Sequence, residues 1–390
     1  MLWLCIKLYH LPIEIFSPIV KTHNNLVIIN NQKPQKVIVC NKSAKISGIK
    51  SGMDIPTVYT LLPQASIKEQ DLEKESRALK ALATWATRFT SEIVILKPHS
   101  LLLEIGRSLR IFKGLDNLVQ TIKRDLVEMD YSFTIATTPT PLSAQWFTEA
   151  GMSIQITQKK TLSFYIGKLP IEHITDEIKI INLLKRMGIN HIKDLKELPR
   201  NGINHRFSRE LMDKFDKAHG TKIDPQLHFK PSKKISLSTT LCYPTSKVDI
   251  LIFSLRRPLI QMISYLRTYE AGISKFQITL MHKEKIKTEI IINLALPTRK
   301  FKHLNDLITE KIFSTEIPNP VEEIAFEILE ILELTNTSLF LGEKTKKPEI
   351  FTIIEKLRAR LGPNAVYGLS FESDVRPEFA WKKIEPHRQS

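Results

Sequence analysis

Residues 6–12 read IKLYHLP, directly after the apolar opening MLWLC. An apolar strand at the start of a chain that ends in polar residues before a turn can deliver reactive groups to a site. Here the delivered groups would be Lys7, Tyr9 and His10, with no carboxylate among them. Across residues 1–66 the carboxylates are Glu14 and Asp54 alone. Such a strand end offers a cation, a phenol and an imidazole, but no hard anionic oxygen for a divalent ion. The eleven histidines show neither HExxH nor Cys/His ligand spacing, so the sequence predicts no metal and no cofactor.

The elements that would position these groups come from a chain of 390 residues, enough for two or three domains with real cores. Apolar content of 42% and charged content of 25% are those of an ordinary globular protein. No apolar run approaches the ~18 residues of a membrane helix. MLWLCI is cut short by Lys7 and has no small-residue cleavage site, which argues against a signal peptide. Cys5, Cys40 and Cys242 are far apart and unpatterned, as suits a reducing cytoplasm rather than a disulfide framework.

Net charge is +16, a balance that favours polyanionic partners, nucleic acid first, over the blander reading of a basic surface kept for solubility. Between Asp224 and Lys302 fourteen Lys or Arg stand against five Asp or Glu, while Glu316 to Glu333 holds six glutamates and no basic residue. The positive charge is concentrated, as a surface tracking a phosphate backbone requires.

Periodicity predicts strands at 36–40 and 100–106, the second buried on both faces, and helices over 69–90 and 114–129. A strand over 133–140 leads into Pro-interrupted polar sequence. From Ile171 to His219 the pattern turns helical, and DPQLHFKPSKK (224–234) has the prolines and charge of a linker. Then come a strand near 235–241, a helix near 247–268, paired strands KFQITLM and TEIIINLAL, a helix near 302–313 and a strand near 322–331. That βαββαβ order makes a small sheet with helices on one face, so the whole is α+β. The last ~45 residues read as a short helix and a tail.

The stretch CNKSAKISGIKSGMDIPTVYTLLP (40–63) resembles the fingers segment of Y-family translesion DNA polymerases. Asn41, Ala44, Lys45, Gly48, Ile49, Gly52, Met53 and Pro63 fall in register with its pattern N-x-x-A-R/K-x-x-G-[IV]-x-x-G-[MI]…L-x-P. The resemblance implies a Y-family polymerase fold over about residues 1–340: palm at 1–11 and 67–166, fingers at 12–66, helix-hairpin-helix thumb at 167–223, linker at 224–234 and little finger at 235–335. It also implies two magnesium ions held by carboxylates. Here Lys7 stands where the first metal-binding Asp belongs, His99 and Ser100 where the Asp-Glu pair belongs, and only Glu104 matches a later Asp. Lys42 and Lys45 replace an aromatic and the phosphate-binding Arg, a cationic remnant still able to touch phosphates.

A polymerase fold without the polymerase carboxylates resembles the ImuB-type subgroup. LWLCIKLYHLPIE, LLLEIGRSLRIFKG (101–114) and KLRARLGPNAVYGLSFESDVRPEFAW (356–381) resemble its opening, middle and closing segments. The resemblance implies a catalytically silent subunit of SOS mutagenesis. Its implied partners are damaged primer–template DNA, the sliding clamp, an error-prone replicative-type polymerase alpha subunit and an ImuA-like RecA-related protein. An active but divergent polymerase and a DNA-binding module unrelated to lesion bypass remain as alternatives.

Three further groups of residues are singled out for binding. LLKRMGINHIKDLKELP (183–199) reads as a helical hairpin that turns at Gly188, with Asn190, His191 and Lys193 beside a phosphate; plain packing of two helices is the competing reading. Lys230, Lys233 and Lys234 in the linker, with Lys275, Lys283, Lys285 and Lys287 around the strand pair, are the duplex-backbone candidates, though each alone could be only a solvated lysine. NTSLF (336–340) resembles a clamp-binding peptide within residues 336–390. Leu339 and Phe340 would be its anchors, Ser338 a spacer and Asn336 in the place of the usual Gln.

Overall fold

The computed structural model describes residues 1–17, 25–199, 207, 209–231, 236–283, 286–334, 347–362, 365–373, 376 and 380–384. The chain starts with β1 (Trp3–Lys7), α1 (Leu11–Glu14), β2 (Phe16–Ser17), β3 (Leu26–Ile29) and β4 (Val37–Cys40). Then come α2 (Lys42–Ile46), α3 (Ile55–Leu61), β5 (Ser66–Glu69), α4 (Leu72–Ala86), β6 (Ile93–Leu96) and β7 (Ser100–Glu104). Next are α5 (Leu115–Glu128), β8 (Thr134–Thr138), α6 (Pro141–Glu149), α7 (Lys159–Gly167), α8 (Ile178–Arg186) and α9 (Arg209–His219). The remainder comprises β9 (Ser236–Thr245), α10 (Val248–Thr268), β10 (Ala271–His282), β11 (Lys287–Thr298), α11 (Phe301–Phe313) and β12 (Val321–Glu333). Last come α12 (Lys347–Leu361), β13 (Gly368–Phe371) and β14 (Trp381–Ile384). The mixture is α+β, and the chain divides into two compact units.

The first unit joins Met1–Pro12, Gln70–Val127 and Tyr131–Pro231. Its four-stranded antiparallel sheet has the order β6-β7-β1-β8. β1 is central, which is why WLCI reads as an unbroken apolar run: Leu4, Cys5 and Ile6 are all buried. Trp3, Cys5, Val94 and Leu102 form one layer with Ala144 of α6. Helix α6 forms where the sequence reads only as Pro-interrupted and polar. Pro141 occupies its first turn, where the missing N–H costs nothing, and Thr140 precedes it. Behind it, Trp146 and Phe147 pack with Leu162 and Ile166 of α7, Leu184 of α8 and Leu211 and Phe215 of α9. α4 and α5 are tied by a buried charge. Asp125 accepts from the Trp85 indole N–H at 3.2 Å and pairs with the Arg88 guanidinium.

The second unit joins Ile13–Glu69, Glu128–Asp130 and Ser232–Ser390. A three-stranded sheet, order β4-β3-β5, packs Val27, Ile29 and Val37 on Ala44, Ile49 and Val58. The expected boundary at residue 67 falls inside β5, which pairs with β3. Gly48 and Gly52 have φ of +94° and +86°, where a side chain is strained. A larger sheet, order β11-β10-β12-β9-β2, carries the expected βαββαβ run. Phe276, Ile278 and Leu280 are its buried row, alternating with half-buried Lys275, Gln277 and Thr279. Arg257 in α10 is buried and donates to the carbonyls of Met129, at 2.8 Å, and Glu14. One of the fourteen basic residues is thus a structural clamp. The expected tail instead contains a strand pair, β13 with β14.

Replacing Asp125 by Ala removes the carboxylate shared by the part-buried Arg88 guanidinium and the Trp85 indole N–H. The expected loss is about 1–3 kcal/mol of unfolding free energy, measured by denaturant titration. A loss below about 1 kcal/mol would show that the pair does not hold the two helices.

Candidate catalytic centre and nucleic-acid interface

The register of the first sheet fixes the surroundings of Lys7. Lys7 lies opposite Ser100 of β7 on one side and Thr134 of β8 on the other. The ladder runs one step further, with Leu8 N–H donating to the His99 carbonyl at 2.9 Å. The register thus sets Lys7 between Ser100 and Thr134, while His99, one residue before Ser100, directs its imidazole to α4. The Lys7 ammonium lies over the Tyr9 ring, 5.8 Å from its centroid, and the Tyr9 hydroxyl donates to the Thr148 carbonyl at 2.7 Å.

Two carboxylates of this sheet and its covering helix are already engaged. Glu75 of α4 is buried, and its Oε2 lies 2.8 Å from His99 Nε2. Gln70 donates to both oxygens of the same carboxylate, at 2.9 and 3.2 Å. Glu104, the match to a later family Asp, faces Trp3 at the opposite end of the ladder. Four residues of strand, about 13 Å, separate it from Ser100. Its Oε1 accepts from the N–H of Leu2 at 3.0 Å and of Gly106 at 3.1 Å. A Cβ at Gly106 would lie 2.8 Å from that oxygen, so a side chain there would displace the carboxylate. Glu104 is a turn-locking residue.

A pair of magnesium ions does not fit this donor set. Magnesium needs anionic oxygens in near-octahedral array, whereas the strand ends present Lys7, Ser100 and Thr134. Among the described residues no three His, Cys, Asp or Glu side chains gather as a group able to hold a metal ion. Sequence reasoning missed Glu75 and Gln70, because the Glu75 link to His99 spans 24 residues and no local spacing signals it.

The hairpin of the first unit turns at Gly188, φ +83°, with Ile189 buried. Its second arm is a 3-10 turn, Ile192–Glu197, rather than a full α-helix. The backbone donors are spoken for: the N–H groups of Asn190 and His191 donate to Asp194 Oδ2 at 3.0 and 2.9 Å. Gly188, Ile189 and Ile192 donate to the carbonyls of Lys185, Leu184 and Leu169. A phosphate here would thus meet side chains, with Asn190, His191 and Lys193 exposed. The His191 and Asn190 N–H groups hold the Asp194 carboxyl below the usual carboxylate range. Its folded-state pKa is depressed, so its stabilisation is present above the unfolded value of about 3.9 and fades as pH falls through the folded one. At neutral pH the hairpin stays closed.

In the second unit, Lys42 and Lys45 are exposed one turn apart on α2, which Asn41 caps by accepting from Ala44 N–H at 3.1 Å. Pairing of β10 with its neighbours sets Lys275 beside Asn293, Met281 beside Lys287 and Glu323, Thr279 beside Glu289, and Gln277 beside Glu327. Lys275 and Lys287 therefore share the row opposite the buried residues with Glu289, Glu323 and Glu327. That face is not the basic surface its composition suggested. Exposed Lys230, Lys283 and Lys287 lie in the linker and at the β10–β11 tip. Lys233, Lys234, Lys285, Asn336, Ser338, Leu339 and Phe340 lie outside the described residues.

Residues 18–149 match the impB/mucB/samB (IMS) family model. The matched stretch holds α2, α4, β7 and β8, and with them His99, Ser100 and Thr134. A Y-family DNA polymerase chimera of Dbh and Dpo4 is similar with a TM-score of 0.49 and 15% identity, covering 85% of this chain and 100% of that one. The insertion ternary complex of Dbh DNA polymerase gives 0.49 and 14%, covering 85% and 100%. DinB from Sulfolobus solfataricus gives 0.46 and 13%, covering 84% and 98%. No curated protein matches the chain. Among the described residues no helix is long and apolar enough to cross a membrane.

Manganese should leave the melting temperature of this protein unchanged, whereas a Lys7→Asp/Ser100→Asp variant should gain about 2.7 kcal/mol at a hundredfold excess over Kd. Equal stabilisation of the unaltered protein would mean that a metal site forms from other residues.

Proposed function

We propose that this chain is a non-catalytic, Y-family polymerase-like subunit of ImuB type, acting in DNA repair and SOS-induced translesion synthesis in the cytoplasm. It binds damaged primer–template DNA and the sliding clamp and bridges them to an error-prone replicative-type polymerase alpha subunit. An ImuA-like RecA-related protein is the further partner. The IMS-family stretch supports the lesion-bypass setting. The observation that carries the silent role is the strand-end chemistry: Lys7 opposite Ser100, with Glu75 bonded to His99 and Gln70, and Glu104 bonded to backbone at the far end. An ammonium opposes divalent cations by charge, and both of those carboxylates are committed to other partners.

On this reading DNA is held by lysines on its backbone, and clamp contact is made by Leu339 and Phe340, whose apolar side chains fill a pocket on the partner. Salt sensitivity follows from counterion release. Neutralising about six phosphates gives a slope near −5 in log K against log salt on duplex DNA.

Two binding measurements test the assembly. Association with primer–template DNA should fall steeply between low and moderate salt; a flat profile would contradict backbone contact. Leu339→Ala/Phe340→Ala should abolish clamp capture while leaving DNA affinity and the circular-dichroism spectrum unchanged. Clamp binding that survives both substitutions would remove the bridging role.

A further inference from the structure

Helix α7 carries a surface feature that none of the assignments above uses. Phe164 is 60% exposed, although its neighbours Leu162 and Ile166 are fully buried. Lys160 and Lys168 are exposed one turn before and one turn after it, so the three side chains form a single row about 12 Å long. The Lys168 ammonium lies over the Phe164 ring at 4.1 Å from its centroid. Tyr165 meets the same ring edge-on, with centroids 5.5 Å apart and planes at 82°. Next to this row, Gly167 packs directly on Lys193, whose Cβ would be 3.1 Å from a Cβ at 167, and Lys193 is exposed. Among the described residues neither Lys160 nor Lys168 is held in an ion pair.

An exposed aromatic ring oriented by a second ring and flanked by cations at both ends has a specific chemistry. With the Lys168 ammonium over one face of the ring, a nucleobase stacks on the other face or displaces that ammonium to the adjoining phosphate, and Lys160 offers charge to the phosphate beyond. Paired bases inside a duplex are stacked on each other and cannot reach such a ring, so the ligand must present unpaired bases. A protein partner would need an acidic surface to match the lysines but would gain little from the exposed ring face.

We propose that Phe164, with Lys160, Lys168 and Lys193, forms a stacking platform for single-stranded DNA, separate from the duplex-backbone lysines. The proposal rests on the DNA-binding reading above only for the class of partner. Because Phe164 is exposed, its replacement leaves the packed core of α7 intact.

The test is fluorescence anisotropy with a labelled oligothymidylate and with a blunt duplex of the same length. Phe164→Leu keeps an apolar side chain but removes the π-face. It should weaken oligothymidylate binding about tenfold, the loss of roughly one stacked base, and leave duplex binding unchanged. Phe164→Trp should retain or tighten single-strand binding. Lys160→Gln/Lys168→Gln should reduce the steepness of the salt dependence for the single strand, by about 0.7 for each phosphate no longer neutralised. Unaltered oligothymidylate affinity in Phe164→Leu, or an equal loss on the duplex, would overturn the platform while leaving the duplex reading in place. A protein that bound neither oligonucleotide would defeat both.

Discussion

Pairing of β1 with β7 decides what the strand ends of the first sheet can do chemically. A strand register has a period of two, and a one-residue slip would reverse every side chain. Packing of Trp3, Cys5, Val94 and Leu102 with Ala144 fixes which residues share a face, and in that register Lys7 and Ser100 lie opposite each other. The position of the ammonium is therefore dictated by the hydrophobic core. The buried carboxylate of Glu75 is held by His99 and Gln70. Its polar atoms are satisfied by hydrogen bonds from the protein itself, with no need of a metal ion to compensate them.

The same logic, in which polar groups are satisfied internally, recurs across both units. Asp194 takes the backbone donors of its hairpin, Asp125 takes Trp85 and Arg88, and Arg257 takes the carbonyls of Glu14 and Met129. Each group could have bound a phosphate or an ion had it been free. Among the described candidates, the side chains standing clear of the packing are Lys42 and Lys45, Asn190, His191 and Lys193, Lys230, Lys283 and Lys287, and the row on α7. Net charge of +16 overstates the available surface, since part of it is structural and part is offset on the open sheet face by Glu289, Glu323 and Glu327.

Much of the fold was legible because its signals are local. The unbroken apolar runs of β1 and β7 announce burial on both faces, and the βαββαβ order follows from alternation in β10 and β11 and from helical period in α10 and α11. Helix α6 was hidden because Pro141 reads as a breaker and only its place in the first turn makes it harmless. The glutamates of β12 read as one acidic block, whereas pairing sends Glu323 and Glu327 to a specific face. The strand-end site was legible as residue types at Lys7, His99 and Ser100. Its bonding was not, because Glu75 reaches His99 across the fold. The α7 row, by contrast, was written at spacings of four and could have been read.

Strand ends built from Lys7, Ser100 and Thr134 should be unable to support nucleotidyl transfer. The decisive assay is primer extension on an undamaged primer–template, with all four nucleotides and either magnesium or manganese. No extended product is expected at any protein excess. Sustained incorporation that survives repurification and is lost when Ser100 or Glu75 is replaced would contradict the silent reading.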